Sequence, residues 1–198
     1  MIKAVVFDFG GILAEEGFRE GLKAIAEKNG LNPDDFFLTA EALIYETGYL
    51  EGMAGEADFW NSLRDKTGIS GSDKDLREEI LARFIMRPRM LQYAEQLKSR
   101  GMIVAILSDQ TNWLDELNQR TPFYHYFAPV FNSFKIKRSK KDPSTFTFAC
   151  SAMAVRPEET LFVDDNAGHI KRAAAMGLQV IHFLDVDSFE KELSARIK

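Results

Sequence analysis

The sequence of 198 residues is poor in the groups that most readily announce a site. Its single cysteine, Cys150, excludes an intramolecular disulfide. A lone thiol fits a reducing compartment. Its three histidines, His125, His169 and His182, are scattered and show no metal-ligand spacing. No window approaches the roughly 18 uncharged apolar residues of a membrane span. The first apolar run is broken at Asp8, too early for a signal peptide. A basic excess is also missing: 25 Lys and Arg stand against 30 Asp and Glu, for a net charge of −5. That balance gives no electrostatic case for nucleic acid or anionic membrane as a partner. There is no internal repeat and no low-complexity tract. These absences leave a soluble, cytoplasmic chain as the expectation. Hydrophobic residues make up 45%, enough for a real core. The length suits one α/β domain, or one core with a small insert.

What is present is a succession of strand and helix signals. Residues 2–7 form a continuous apolar run, rich in β-branched side chains, that ends at Asp8 and a loop with Gly10 and Gly11. Such a run reads as a buried parallel strand. Residues 102–107, 160–163 and 179–183 read the same way, and Val130-Phe131 marks a shorter fifth. Beyond Arg87, helical patterns separate these strands. Pro88 suits a first helical turn, with Met90, Ala94 and Leu97 on one face. Asp142-Pro143 opens another helix, on which Phe146, Ala149, Cys150 and Met153 share a face. Cys150 is therefore expected in the core. Asn166 can cap a third, carrying Ile170, Ala173 and Ala174 and stopped by Gly177. This alternation predicts an α/β fold with a doubly wound parallel sheet.

Residues 17–86 differ, for they show no strand pattern. Phe18, Leu22, Ile25 and Ala26 mark an amphipathic helix, and others are predicted near residues 33–45, 56–66 and 73–85. The expected organisation is a core of residues 1–16 and 87–198 with a small all-helical domain, residues 17–86, inserted after the first strand.

The chemistry-bearing residues cluster at strand ends. One strand ends at Asp8, another at Ser108-Asp109, a third at Asp164-Asp165-Asn166. In open α/β sheets, ligands bind beyond the carboxyl ends of strands, where the strand order switches direction. Two acidic ends brought together would offer oxygen ligands to a hard cation. Singly, Asp8 also reads as a turn residue and Asp165-Asn166 as a helix cap. Three polar ends in one layer are harder to read as turns.

Four motifs resemble, in order and spacing, those of the haloacid dehalogenase-like hydrolase superfamily. They are Val5-Val6-Phe7-Asp8-Phe9-Gly10-Gly11; the apolar strand ending in Ser108; Lys140 just ahead of Asp142-Pro143; and Phe162-Val163-Asp164-Asp165-Asn166, followed by an alanine-rich helix and Met176-Gly177. The helical insert resembles a cap of that superfamily. The Asp-x-Gly first motif resembles a branch that includes sugar-phosphate phosphatases. The resemblance implies phosphoryl transfer from a small phosphorylated metabolite to Asp8, then hydrolysis of the aspartyl-phosphate. It implies Mg²⁺ held by Asp8, the backbone carbonyl of Gly10 and Asp165, with Asp164 behind them or as a further ligand. It places Ser108 and Lys140 as catalytic partners on the phosphoryl group, with Asp109 and Gly11 beside the substrate. A monomer and a homodimer both remain open.

Gly10 is the main departure from the pattern. Many phosphatases of the superfamily carry an aspartate two residues after the nucleophile, which protonates the leaving group and then activates water. Glycine can do neither, and such a step commonly contributes about 10²–10⁴-fold. Glu15 and Glu16 follow soon after as candidate substitutes; they also read as a solvated entry to the insert. The basic run Lys135, Lys137, Arg138, Lys140 and Lys141 would attract an anionic substrate, or is a solvated loop. Trp60 and Trp113 are expected to pack the insert and the helix after Ser108, and His182 to be structural. Three other readings stand beside the phosphatase: a catalytically weak relative that binds a phosphorylated ligand or partner, a metal-independent 2-haloacid dehalogenase, and a phosphomutase.

Overall fold

The computed structural model describes residues 1–197; Lys198, the last residue of the expected core segment, lies outside the described residues. The chain opens with strand β1 (Ala4–Phe7) and then runs through four helices: α1 (Gly17–Lys28), α2 (Pro33–Glu46), α3 (Glu56–Thr67) and α4 (Asp73–Leu81). It continues with α5 (Pro88–Ser99), β2 (Ile103–Ser108), α6 (Trp113–Arg120), β3 (Val130–Asn132), α7 (Ser133–Ile136) and α8 (Ser144–Ala152). It closes with β4 (Thr160–Asp164), α9 (Ala167–Ala175), β5 (Gln179–His182) and α10 (Val186–Arg196).

The five strands form one parallel sheet in the order β3-β2-β1-β4-β5. Alternating side chains face opposite layers, as the strand period of two requires. Val5, Phe7, Ile106 and Val163 join Met90, Ala94 and Leu97 of α5 and Phe189 and Leu193 of α10. Ala4, Val6, Ala105, Leu107 and Phe162 join Phe146, Ala149 and Cys150 of α8 and Ala173 of α9. Cys150 is thus a buried core thiol, as its position on the apolar face of α8 predicts. The central strand β1 has β2 on one side and β4 on the other. The chain winds in both directions from β1, so the crevice of a switch point opens at its carboxyl end. Phe7 lies level with both Ile106 and Val163, which brings Asp8, Ser108 and Asp164 to one edge of the sheet.

The four inserted helices pack on one another and against the core. Gly21 is where α1 crosses α4: a Cβ there would lie 2.5 Å from Ile80 Cα. Trp60 of α3 stacks on Trp113 of α6 with ring centroids 5.9 Å apart. Both indole N–H groups donate to the Glu56 carboxylate, at 2.9 and 3.1 Å, and Arg77 pairs with the same group. Two large apolar rings are buried this way with their polar atoms satisfied. No helix among the described residues is long and apolar enough to cross a membrane.

Some boundaries differ from the sequence expectation. The helix expected through residue 85 stops at Leu81, because the chain must turn back beside its own entry. Glu15 N donates to Ile85 O and Arg87 N to Leu13 O, while Ala14 and Met86 form an antiparallel bridge. α8 starts at Ser144, one residue after Pro143, and Asp142 Oδ1 accepts from Ser144 N at 2.9 Å. Asn166 caps α9 as expected, accepting from the amides of Gly168 and His169. α7 and α10 have no counterpart in the sequence reading.

Candidate active site

A cavity of about 370 Å³ opens at the carboxyl edge of the sheet, between the strand ends and helices α1 and α2. Asp8 stands at its floor, one residue beyond β1, with its amide donating to Val163 O at 2.9 Å. Its Oδ1 accepts from the Phe9 amide at 2.7 Å and from the Ser108 hydroxyl at 2.6 Å. Its Oδ2 lies 2.8 Å from Lys140 Nζ. The same ammonium lies 2.6 Å from Asp164 Oδ2. Lys140 is fully buried, a position a charged amine tolerates only with paired counter-charges. Its backbone is pinned as well: the amide donates to Asp109, and the carbonyl accepts from Arg172 Nε at 2.8 Å.

These contacts set the electrostatics. Burial pushes the Asp8 carboxyl up to about 6, against the downward pull of Lys140. Burial also acts to raise Asp164, but Lys140 and His169 outweigh it and hold that carboxyl at about 2. For Lys140, burial works to lower the pKa, and the attraction of Asp164 and Asp8 overrides it, so the ammonium is retained well above the ordinary range. The cluster is a carboxylate presented between a hydroxyl donor and a permanent cation. Such a carboxylate can attack an electrophile held in the cavity, and the cation can offset charge that develops there.

Asp8, Ser108, Lys140 and Asp164 are therefore in direct contact. Asp109 is one bond away, and Asp165 and the Gly10 backbone line the same cavity. Gly11 stands apart from the lining: its carbonyl accepts from the Arg87 guanidinium, and its φ of +76° is a left-handed turn that favours glycine. Ser108 donates to Asp8 itself rather than into open cavity space. The two glutamates diverge. Glu15 is exposed and paired with Arg87 at 2.7 Å, and that hydrogen bond lowers its pKa. Glu16 is half-buried and lines the cavity; burial pushes its carboxyl up to about 7.

Several cavity residues escaped the sequence reading. His169 places Nδ1 3.1 Å from Asp164 Oδ2. The signal was its position in the first turn of the helix that Asn166 caps, directly after an acidic strand end. The side chains of Asp8, Asp164 and His169 lie close enough to share a cation. However, the Lys140 ammonium already bridges Asp8 and Asp164, and Asp164 Oδ1 accepts from the Asn166 amide at 2.7 Å. That trio is an ion-pair site filled by lysine. From α2, Tyr45 donates to Asp109 at 3.3 Å, and the Lys141 ammonium sits 3.2 Å from its ring centroid. Arg19 lies over the Phe37 ring. The basic run itself does not form a patch. Lys135 pairs with Asp115, Lys137 reaches Gly52 O, Arg138 covers Phe148, Lys140 is buried and Lys141 joins the cavity. Lys135 lies on the short helix α7 and the others follow it, so their side chains point to different surfaces.

Comparison with known proteins identifies the family. A family model for haloacid dehalogenase-like hydrolases matches residues 2–177. The chain is 29% identical to bifunctional epoxide hydrolase 2 of Rattus norvegicus, over 97% of this chain and 38% of that protein. It thus spans well under half the length of that relative. It is 26% identical to the D-ribitol-5-phosphate phosphatase of Bacteroides thetaiotaomicron, over 98% of each. It is 30% identical to (S)-2-haloacid dehalogenase 4A of Burkholderia cepacia, over 76% of this chain and 73% of that one. Among solved structures, a HAD family enzyme of Bacteroides thetaiotaomicron in complex with magnesium and inorganic phosphate superposes with a TM-score of 0.73 at 22% identity, covering 91% of this chain and 93% of that chain. The family match along most of the chain, on a five-stranded parallel sheet of shared fold, makes this chain a member of the haloacid dehalogenase-like hydrolase family.

Proposed function

We propose that the enzyme is a phosphatase for a small phosphorylated metabolite, with Asp8 as nucleophile. The observation that carries this reading is the Asp8 carboxylate at the switch point of the sheet, in contact with Ser108 and Lys140 and facing a cavity it shares with Asp165 and Gly10. One Asp8 oxygen attacks phosphorus, and water then hydrolyses the aspartyl-phosphate. Ser108 fixes the carboxylate in its orientation. Lys140 stays charged and balances the equatorial oxygens of the transferred group. Asp164 holds Lys140 in place, with His169 behind it. Helices α1 and α2, within an inserted cap of residues 17–86, close over the substrate and exclude water.

The donor set fits a divalent cation. Asp8, Asp165 and the Gly10 carbonyl offer only oxygen at one wall of the cavity, the ligand chemistry of Mg²⁺. The Asp165 carboxylate accepts no hydrogen bond from another residue among those described. It rests against the Cα of Gly11, where a Cβ would come within 2.1 Å of Oδ2. Bound there, Mg²⁺ would supply charge neutralisation for the phosphoryl group. Similarity to a ribitol-phosphate phosphatase along nearly the whole chain supports a polyol or sugar phosphate as substrate.

The test is turnover of a panel of sugar and polyol phosphates, with Mg²⁺ and with EDTA. Expected is Mg²⁺-dependent phosphate release that Asp8→Asn removes by at least about 10⁴-fold. Full activity in Asp8→Asn would sink the assignment. Similarity to a haloacid dehalogenase supplies a second reading, hydrolysis of a carbon–halogen bond. Halide release from 2-haloacids that persists in EDTA would favour it.

A further inference from the structure

Phosphoryl transfer from an alkyl ester expels an alkoxide, a poor leaving group unless a proton reaches it as the P–O bond breaks. The second half of the reaction needs a base for the attacking water. Most polar groups of the cavity are committed elsewhere. Asp164 and Lys140 are fully buried and bonded to each other. His169 Nδ1 faces Asp164, and Asp109 accepts from the Lys140 amide and from Tyr45. Glu41 lines the cavity from α2, one helical turn before Tyr45 and so on the far wall from the Gly10 loop. Glu15 is held outside by Arg87.

We infer that Glu16, reaching back from the start of α1 into the space beside Gly10, is the group that carries the proton between leaving group and water. This rests on the phosphatase reading above. A Cβ built on Gly10 would lie 3.0 Å from Glu16 Oε2 and 3.6 Å from Phe84 Cε1. The glutamate carboxylate therefore stands where a side chain from position 10 would project, against an aromatic wall. Its two oxygens are divided. Oε1 accepts from the Arg19 amide at 3.3 Å and caps α1. Oε2, turned towards Gly10, has no protein hydrogen bond among the described residues. Gly10 itself lacks the left-handed backbone that would bar a side chain. Its missing side chain is thus matched by a carboxylate arriving from another element.

The proton balance is closed. Glu16 gives its proton to the ester oxygen as the Asp8–phosphorus bond forms and the P–O(alkyl) bond breaks, and the alcohol leaves. The Glu16 carboxylate then takes a proton from water as its oxygen bonds phosphorus and the Asp8–phosphorus bond breaks. Phosphate departs, and Asp8 and Glu16 return to their starting states.

The test compares kcat/KM for p-nitrophenyl phosphate, whose leaving anion is stable unaided, with kcat/KM for alkyl phosphates. Glu16→Gln keeps the oxygen that caps α1, and its melting temperature checks the fold. Expected is a fall of about 10²–10⁴-fold on alkyl phosphates, with p-nitrophenyl phosphate changed by less than about tenfold. A burst of nitrophenolate equal to the enzyme should precede slow turnover, because the second step has lost its base. Glu16→Ala combined with Gly10→Asp should recover alkyl-phosphate turnover relative to Glu16→Ala, since trimming the glutamate opens the space an aspartate needs. A parallel loss on both esters without a burst, or no loss on alkyl phosphates, would overturn the inference. Inactivity of the wild-type enzyme on both ester classes is a different result: it overturns the phosphatase reading, and this inference with it.

Discussion

The floor of the cavity and its helical wall are built on opposite terms. On the floor, Asp8, Lys140 and Asp164 come from separate elements of the core, and each is fixed by two or more short polar contacts. On the wall, Phe37, Glu41, Ile44 and Tyr45 share one helix, and Tyr45 meets the core through one 3.3 Å bond to Asp109 and the Lys141 ammonium over its ring. On the proposed mechanism, the geometry that would make and break bonds is over-determined, and the geometry that would meet the rest of the substrate is not. Reaction chemistry tolerates little positional error, whereas substrate selection is a difference of affinities that changes with a few side chains.

The contrast is tested most harshly at Lys140. Lys140→Met leaves two buried carboxylates without their cation. It should lower stability by about 3–5 kcal/mol in urea unfolding, and kcat should collapse with it. Asp164→Asn keeps the shape and removes one charge; kcat should fall roughly 10–100-fold while the fold persists, the range typical of groups that act through another. Changes on the wall should stay milder. Tyr45→Phe removes one hydrogen bond, so KM for the preferred phosphorylated metabolite should rise by about tenfold or less, with kcat on p-nitrophenyl phosphate unchanged. A kcat loss there as large as on the floor would erase the distinction.

The smallest effect is on stability against pH. Asp8 and Glu16 have pKa values raised from 3.8 and 4.5 to about 6 and about 7. Between those limits the folded state binds more protons than the unfolded chain, so stability falls as pH rises through this window. Glu16→Gln should flatten the decline in melting temperature between about pH 4.5 and 7 in EDTA. A steeper decline would show that Glu16 is not held in the protonated form.

The same contrast governs what the sequence made legible. The five strands, and the polar residues that end three of them, are readable, because a buried parallel strand is a continuous apolar run and its polar end is a break in that run. Lys140 was placed through its neighbours Asp142-Pro143, although nothing local says that it would be bridged by two carboxylates. Tyr45, Arg19 and Glu41 were not readable as cavity residues. Their position depends on how α1 and α2 lie over the core, which no local period encodes. The basic run divides for a related reason: five neighbouring charges split between α7 and the residues after it share no face. His169 carries no signal in the spacing of the histidines, because its partner is the carboxylate five residues before it.

The paired linkers at Ala14 and Met86 make the helical insert modular. Its entry and exit run side by side, so the core closes one short gap whatever the length of chain beyond it, and loop-closure entropy grows only slowly with that length. A different helical insert could be grafted at this seam while the sheet and its charged floor remain. The graft would have to offer a flat aromatic to Trp113, which otherwise loses the stacking partner and the carboxylate that Trp60 and Glu56 give it.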